Sequence, residues 1–245
     1  MSLEHHLPPS AASLSASMRD LGYSLETAIA DLVDNSISAE ASRIEIYCDL
    51  SKAAPTLAVV DNGSGMDAEG LLLAMRHGAA DRKRKRSARD LGRFGLGLKT
   101  ASFSQCRRLT VASMRSGGLS AAEWDLDLID SRDDWILSVL DQSEISSVPF
   151  VDCLKGSGTV VVWRSLDRLF EDEVGQKRDE IVNEKLDVVG KHLALVFHRL
   201  QIPTQAGHLF RFDRGHPRGQ RASGGGCRLA GQCHLASSAP SQPME

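Results

Sequence analysis

The stretch that most restricts the fold is Thr56–Met66. There an apolar run, Leu57-Ala58-Val59-Val60, stops abruptly at Asp61-Asn62-Gly63-Ser64-Gly65-Met66. Thr56 to Val60 reads as a strand, because β-branched and apolar residues are bounded by turn residues. A helix follows, with Asp67 as N-cap, Leu71, Leu72 and Met75 on its apolar face and Gly78 as its C-terminal stop. A buried strand passing through two glycines into a helix calls for a domain in which helices cover a sheet.

The flanking pattern agrees. Leu25, Ala28, Ile29, Leu32 and Val33 recur at three- and four-residue steps, which predicts an amphipathic helix over Leu25–Ile37 with Ser24 as N-cap. Ile44, Ile46, Cys48 and Leu50 alternate and predict a half-buried strand over Arg43–Leu50. Leu109 to Met114, Ala121 to Leu128, Trp135 to Leu140 and Val160 to Trp163 read as further strands, with Gly117-Gly118 as a hairpin turn. Glu173 to Leu200 reads as a long amphipathic helix. The expected fold is therefore α+β, a two-layer sandwich with a mixed, mainly antiparallel sheet and helices on one face.

Three segments carry chemistry. At about 100° per residue, Asp31 and Asn35 stack one turn apart at the border of an apolar stripe, while Asp34 points away. The pair is either a functional edge or two solvated polar residues. Asp61 ends a strand in D-x-G-x-G. Its carboxylate is acceptor-only and can receive the exocyclic amino hydrogens of adenine, while the glycines let the backbone approach a flat base. An ordinary Asn-Gly turn is the alternative. Gly92-Arg93-Phe94-Gly95-Leu96-Gly97-Leu98-Lys99-Thr100 frees backbone N–H groups for phosphate oxygens at the start of a helix over Lys99–Ser104. It is not a P-loop, since Leu98 stands where the lysine is needed, nor a Rossmann fingerprint, since Thr100 stands where its third glycine would be.

The order D-x-x-x-N on a helix, then D-x-G-x-G, then G-x-x-G-x-G-x-K, then Gly158-Thr159 resembles the gyrase, heat-shock chaperone, histidine kinase and MutL (GHKL) superfamily with its Bergerat ATP-binding fold. The resemblance covers Ser24 to Leu200, and the wording of Gly92–Lys99 is most similar to the microrchidia- and MutL-like branch. It implies ATP and Mg2+ as ligands. Asn35 would ligate the metal, and Asp61 would read adenine with Thr159 helping through a shared water. Gly63, Gly65 and Met66 would line the base. Gly92, Arg93, Phe94, Gly95, Leu96 and Gly97 would form the phosphate side of a lid, and Lys99 would contact phosphate oxygens. A nucleotide-dependent homodimer is the implied assembly.

Two positions depart from the pattern. The hydrolysing members carry a glutamate one turn before the magnesium asparagine as general base; this chain has Asp31, one methylene shorter. Ser38 replaces the acidic residue of the family's D-A pair. A displacement of about 1 Å can lower a rate on the order of a hundredfold, so slow hydrolysis is expected. The leading function is an ATPase module coupling ATP to lid closure and subunit association. The alternatives are a nucleotide-binding regulatory module that does not hydrolyse, and the catalytic domain of a histidine kinase.

The remaining features set limits. The basic run Arg82-Lys83-Arg84-Lys85-Arg86, with Arg89, falls within the lid and is either a DNA- or phosphate-contacting surface or a solvated loop. No aromatic residue interleaves with it, and the net charge of −3 gives no global reason to expect nucleic acid. Cys48, Cys106, Cys153, Cys227 and Cys233 form no C-x-x-C pair and read as reduced. The start lacks an apolar signal region and no run is long enough to span a bilayer, so a cytoplasmic protein with no membrane association is expected. Residues 1–23 read as an N-terminal arm and 24–200 as the ATP-binding domain. Residues 201–245 read as a Gly-, Ser- and Pro-rich tail without packing, expected from truncation or frameshift of a longer ATPase whose second domain would donate a lysine.

Overall fold

The computed structural model describes residues 8–51, 54–77, 97–170 and 173–197, and the backbone of 209–213. Among the described residues seven strands form one sheet: β1 (Arg43–Asp49), β2 (Thr56–Asp61), β3 (Arg108–Arg115), β4 (Gly118–Asp125), β5 (Leu137–Val139), β6 (Gly158–Arg164) and β7 (Leu209–Asp213). Their order is β5-β4-β3-β6-β2-β1-β7, and every pair is antiparallel. All six residues of β2 are buried, as befits a central strand covered on both faces.

The main core lies between the sheet and a helical layer. It joins Ile44, Ile46, Leu57, Val59, Leu109, Val111, Val161 and Trp163 from the strands to α2 (Leu25–Ser38), α3 (Ala68–Met75), α4 (Gly97–Gln105) and α7 (Gly175–Val196). Helix α2 forms where predicted: Ser24 caps the Thr27 amide, and Ala28, Ile29, Leu32 and Val33 are buried. Full burial of each large aliphatic side chain contributes about 1.5–3 kcal/mol, so this stripe alone fixes α2 against the sheet. In α3, Leu71 and Met75 are buried as expected, but Leu72 is 44% exposed. One position past Leu71 the helix has already turned away from the sheet.

The two-layer α+β reading holds, with one addition. On the opposite face, α6 (Gln142–Ser146) and a 3-10 turn at Val151–Cys153 cover Tyr47, Ala58, Val60, Ala112, Val160 and Val162, forming a second, smaller core.

Several boundaries differ from the expectation. Ala121–Leu128 does not continue as a strand. Asp125 accepts the Asp127 and Leu128 amides and starts helix α5 (Leu126–Arg132), which buries Leu126 and Ile129. The side-chain cap wins over the alternating pattern. The strand expected over Trp135–Leu140 shortens to β5. Residues 11–19 of the arm form helix α1 (Ala11–Arg19), which Arg19 pins down. Its guanidinium donates to the carbonyls of Phe103 (3.0 Å) and Cys106 (2.9 Å) at the end of α4 and pairs with Asp167 at 2.6 Å.

In the tail, β7 pairs with β1 from Arg43↔Asp213 to Tyr47↔Leu209. Unpaired main-chain groups along β1 would otherwise stand open, and Leu-Phe-Arg-Phe-Asp supplies an alternating partner. The rest of 201–245, the stop expected at Gly78 and the basic run 82–89 lie outside the described residues.

Candidate functional site

Antiparallel pairing brings the informative residues to one end of the sheet. Asp61 is opposite Thr159 between β2 and β6, and Ser113 is opposite Thr159 between β3 and β6. Partners directly across a ladder share a face. Asp61, Thr159 and Ser113 therefore form a polar row where the helix-side core ends. They are 7%, 9% and 0% exposed.

Asp61 is held from two sides. Its Oδ1 accepts the Gly63 N–H at 2.8 Å, and its Oδ2 accepts the Ser36 hydroxyl of α2 at 3.0 Å. Burial pushes its pKa up, and the donors from Gly63, Ser36 and the Thr159 main chain partly counter this. No cation pairs with it among the described residues. A carboxylate can accept more bonds than these donors supply, so a buried acceptor without a countercharge awaits a donor.

The turn after Asp61 owes its path to glycine. Gly65 has φ of +63°, and a Cβ there would lie 2.0 Å from the Met114 carbonyl oxygen. Gly158 has φ of +146°, and a Cβ there would lie 2.1 Å from the Asp61 carbonyl oxygen. Main chain thus packs on main chain where β2, β3 and β6 end. The Met66 N–H is then delivered to Ser113 Oγ at 2.8 Å.

Asp31 and Asn35 lie on the edge of α2 facing the start of α4. Asp31 is half-buried, and its Oδ2 lies 3.6 Å from the position of a Cβ on Gly97. Its carboxyl pKa is raised by burial, an effect the Tyr23 hydroxyl opposes by donating to it. Asn35 is exposed, and its side chain makes no hydrogen bond among the described residues. Gly97 is the first described residue of α4 and stands beside Asp31.

Lys99, expected to contact phosphate, has its side chain placed at the end of α3. It is 2% exposed, and Nζ donates to the Ala74 carbonyl at 2.7 Å. Trp124 Nε1 donates to the adjacent Met75 carbonyl at 3.0 Å. Both bonds satisfy carbonyls that the last turn of α3 leaves without helical partners. Burial lowers the Lys99 pKa to about 8. The same pocket drives His77 down to about 4, first by burial and then by the Lys99 charge.

The fold thus brings together Asp31, Asn35, Asp61, Gly63, Gly65, Met66, Gly97 and Thr159 around the sheet end and α2. Gly92, Arg93, Phe94, Gly95 and Leu96 lie outside the described residues. Sequence reasoning missed Ser36, Ser113 and Tyr23. The signal for two of them was present: Ser36 continues the apolar stripe after Leu32 and Val33, and Ser113 continues the inward positions Leu109 and Val111. A hydroxyl in an apolar register is a hydrogen-bonding demand that something must meet.

Comparison with known proteins agrees with this geometry. Residues 23–159 match the family described as histidine kinase-, DNA gyrase B- and HSP90-like ATPase. The chain is similar to the DNA mismatch repair protein MutL of Allorhizobium ampelinum, with 38% identity over 96 residues, 39% of this chain and 15% of that protein. It is also similar to the mouse ATPase MORC2B, with 36% identity over 79 residues, 31% of this chain and 8% of that protein. The matches therefore span a small part of each relative's length. No helix among the described residues is long and apolar enough to cross a membrane.

Proposed function

Because the chain belongs to the family of histidine kinase-, DNA gyrase B- and HSP90-like ATPases, we propose that it binds ATP with Mg2+ in the site ringed by α2 and the ends of β2, β3 and β6. We further propose that it hydrolyses ATP slowly. The observation that carries this reading is Asp61: a buried carboxylate held by donors from the fold, with no cation among the described residues and acceptor capacity to spare. An adenine amino group satisfies it. Gly63, Gly65 and Met66 line the base, and Thr159 adds a hydroxyl beside it.

On the phosphate side, Gly92, Arg93, Phe94, Gly95 and Leu96 lead to the first turn of α4. The main-chain amides of Gly97, Leu98 and Lys99 supply the helix-start donors there. The Lys99 ammonium holds α3 to α4 and acts on phosphate only through the position of that turn. Asn35 would hold a hard divalent cation, since its exposed carboxamide offers one neutral oxygen donor of the kind such ions take. When bound, the ion would supply neutralisation of phosphate charge. Asp31 is the general base: it stands a turn before Asn35, next to Gly97, and takes a proton from the attacking water. Its short side chain leaves the water imperfectly placed.

Lid closure over bound ATP and association of two copies follow from this reading, since differential binding to two states is sufficient to drive such a cycle. The basic run 82–89 is the candidate contact for phosphate or DNA in this reading. Titration of ATP with and without Mg2+, sizing of the same samples and phosphate release test the proposal. Saturable, Mg-dependent binding with slow release supports it, and absence of binding overturns it. Binding with no release favours the non-hydrolysing module, a reading favoured by the aspartate at position 31.

A further inference from the structure

Thr159 stands beside Asp61 in the sheet, yet a hydroxyl can give or take a hydrogen bond, so position alone does not say what it reads. Ser113 supplies the missing constraint. Its Oγ lies 2.8 Å from the Met66 amide nitrogen, 3.0 Å from the Gly158 carbonyl oxygen and 2.9 Å from Thr159 Oγ1. The residue is wholly buried, and these three partners fill the bonding capacity of its hydroxyl. The Met66 amide can only donate, and the Gly158 carbonyl can only accept. Ser113 has one hydrogen, which goes to Gly158. Its oxygen accepts from Met66 and, to bond Thr159, must accept again. The Thr159 hydrogen is therefore directed at Ser113, and Thr159 Oγ1 turns only lone pairs toward the side of Asp61.

We infer that Ser113 is a specificity-determining residue of the base site: by fixing Thr159 as an acceptor beside Asp61, it makes the site take 6-amino purines and refuse 6-oxo purines. The inference rests on the adenine reading of Asp61 and adds what that carboxylate does not supply alone. A 6-oxo purine carries a hydrogen on N1, which a carboxylate can accept, so Asp61 by itself does not exclude inosine or guanine. Once N1–H is on Asp61, the 6-oxygen faces Thr159, acceptor against acceptor. If the Thr159 hydroxyl were free to turn, its hydrogen would relieve that clash. The Met66–Ser113–Gly158 chain prevents the turn.

The test compares dissociation constants of ATP and inosine triphosphate, with Mg2+, by displacement of a fluorescent ATP analogue. Wild type prefers ATP by about a hundredfold or more, the range seen when a buried polar group is left facing the wrong partner. Ser113→Ala narrows the ratio about tenfold, chiefly by tightening inosine triphosphate, and Ser113→Thr, which keeps the hydroxyl, retains it. Thr159→Val leaves the Ser113 bonds to Met66 and Gly158 in place, removes the second acceptor and narrows the ratio independently. An ATP-binding protein whose ratio stays at the wild-type value in Ser113→Ala and Thr159→Val overturns the inference. A wild type that binds neither nucleotide overturns the adenine reading and this inference with it, a result distinct from an unchanged ratio.

Discussion

Replacing Asp61 by asparagine separates recognition from stability at a single atom pair. In the variant, Oδ1 still accepts the Gly63 N–H, which is 2.8 Å away in the wild type. The new amide nitrogen faces Ser36 Oγ at the former 3.0 Å position, and the Ser36 hydroxyl has the Leu32 carbonyl at 3.2 Å as its acceptor. The bonds to the fold survive. On the ligand side one acceptor becomes a donor and confronts the adenine amino group. Loss of a hydrogen bond to a charged group is worth about 1.5–3 kcal/mol, so ATP should bind about 10- to 150-fold more weakly.

Stability should move the other way or not at all. Burial raises the Asp61 pKa, so the folded state holds this proton more tightly than the unfolded chain. The resulting stabilisation is complete at low pH and fades as pH climbs from the unfolded value through the raised folded one. Above that window the ionised carboxylate keeps its desolvation penalty, which a neutral amide lacks. At pH 7.5 the variant should melt at or above the wild-type temperature, where about 1 kcal/mol corresponds to about 2–4 °C. Thermal melts and ATP titrations on the same preparations decide. Unchanged ATP affinity would refute the assignment of Asp61, and a large fall in Tm would refute the hydrogen-bond accounting.

Further outcomes follow from the same geometry. Asp31→Asn should lower phosphate release about a hundredfold while ATP affinity stays within about threefold, as expected of a group acting in the chemical step. Because burial raises the Asp31 pKa and the Tyr23 hydroxyl opposes the rise, the acid limb of the wild-type rate should lie above the ordinary aspartate range. Tyr23→Phe should move it higher still, as read from kcat against pH. Gly65→Ala should destabilise the fold by about 2–5 kcal/mol in urea unfolding, combining a positive φ with a Cβ pressed on the Met114 carbonyl. Lys99 has its pKa depressed to about 8, so the unfolded chain binds the extra proton between that value and the ordinary lysine range. Wild type should therefore gain stability relative to Lys99→Met as pH rises through this window, which denaturant melts at pH 7.5 and 10 would register.

The layer architecture was legible because the pattern and the packing say the same thing. The α2 stripe, the alternation in β1 and β3 and the apolar run of β2 are each met by burial in the structure. Asp61, Asp31, Asn35 and the glycine turns were legible as candidates because residue type and order carry them. What escaped depends on contacts distant in sequence. Arg19 reaches carbonyls more than eighty residues away, and nothing in Ala11–Arg19 announces that. Ala121–Leu128 alternates well enough for a strand, yet Asp125 provides a cap whose effect on two amides outweighs continuation. Lys99 follows glycines in a manner that suits an anion, but its side chain finds the end of α3 first. Ser113 showed a hydroxyl in an apolar register, but what that hydroxyl bonds emerges only once Thr159 and Met66 are placed around it.

The meeting of bare main chain at Gly65 and Gly158 has a consequence for how such a pocket can diversify. Where no side chain stands between neighbouring backbones, there is nothing to trim or enlarge, so the cavity cannot be resized there by substitution. A change in base preference must come instead from reversing the direction of individual hydrogen bonds, at hydroxyls such as those of positions 36, 113 and 159. A library that randomises polarity at those three positions, and leaves the glycines alone, is the one expected to yield folded variants with altered nucleotide choice.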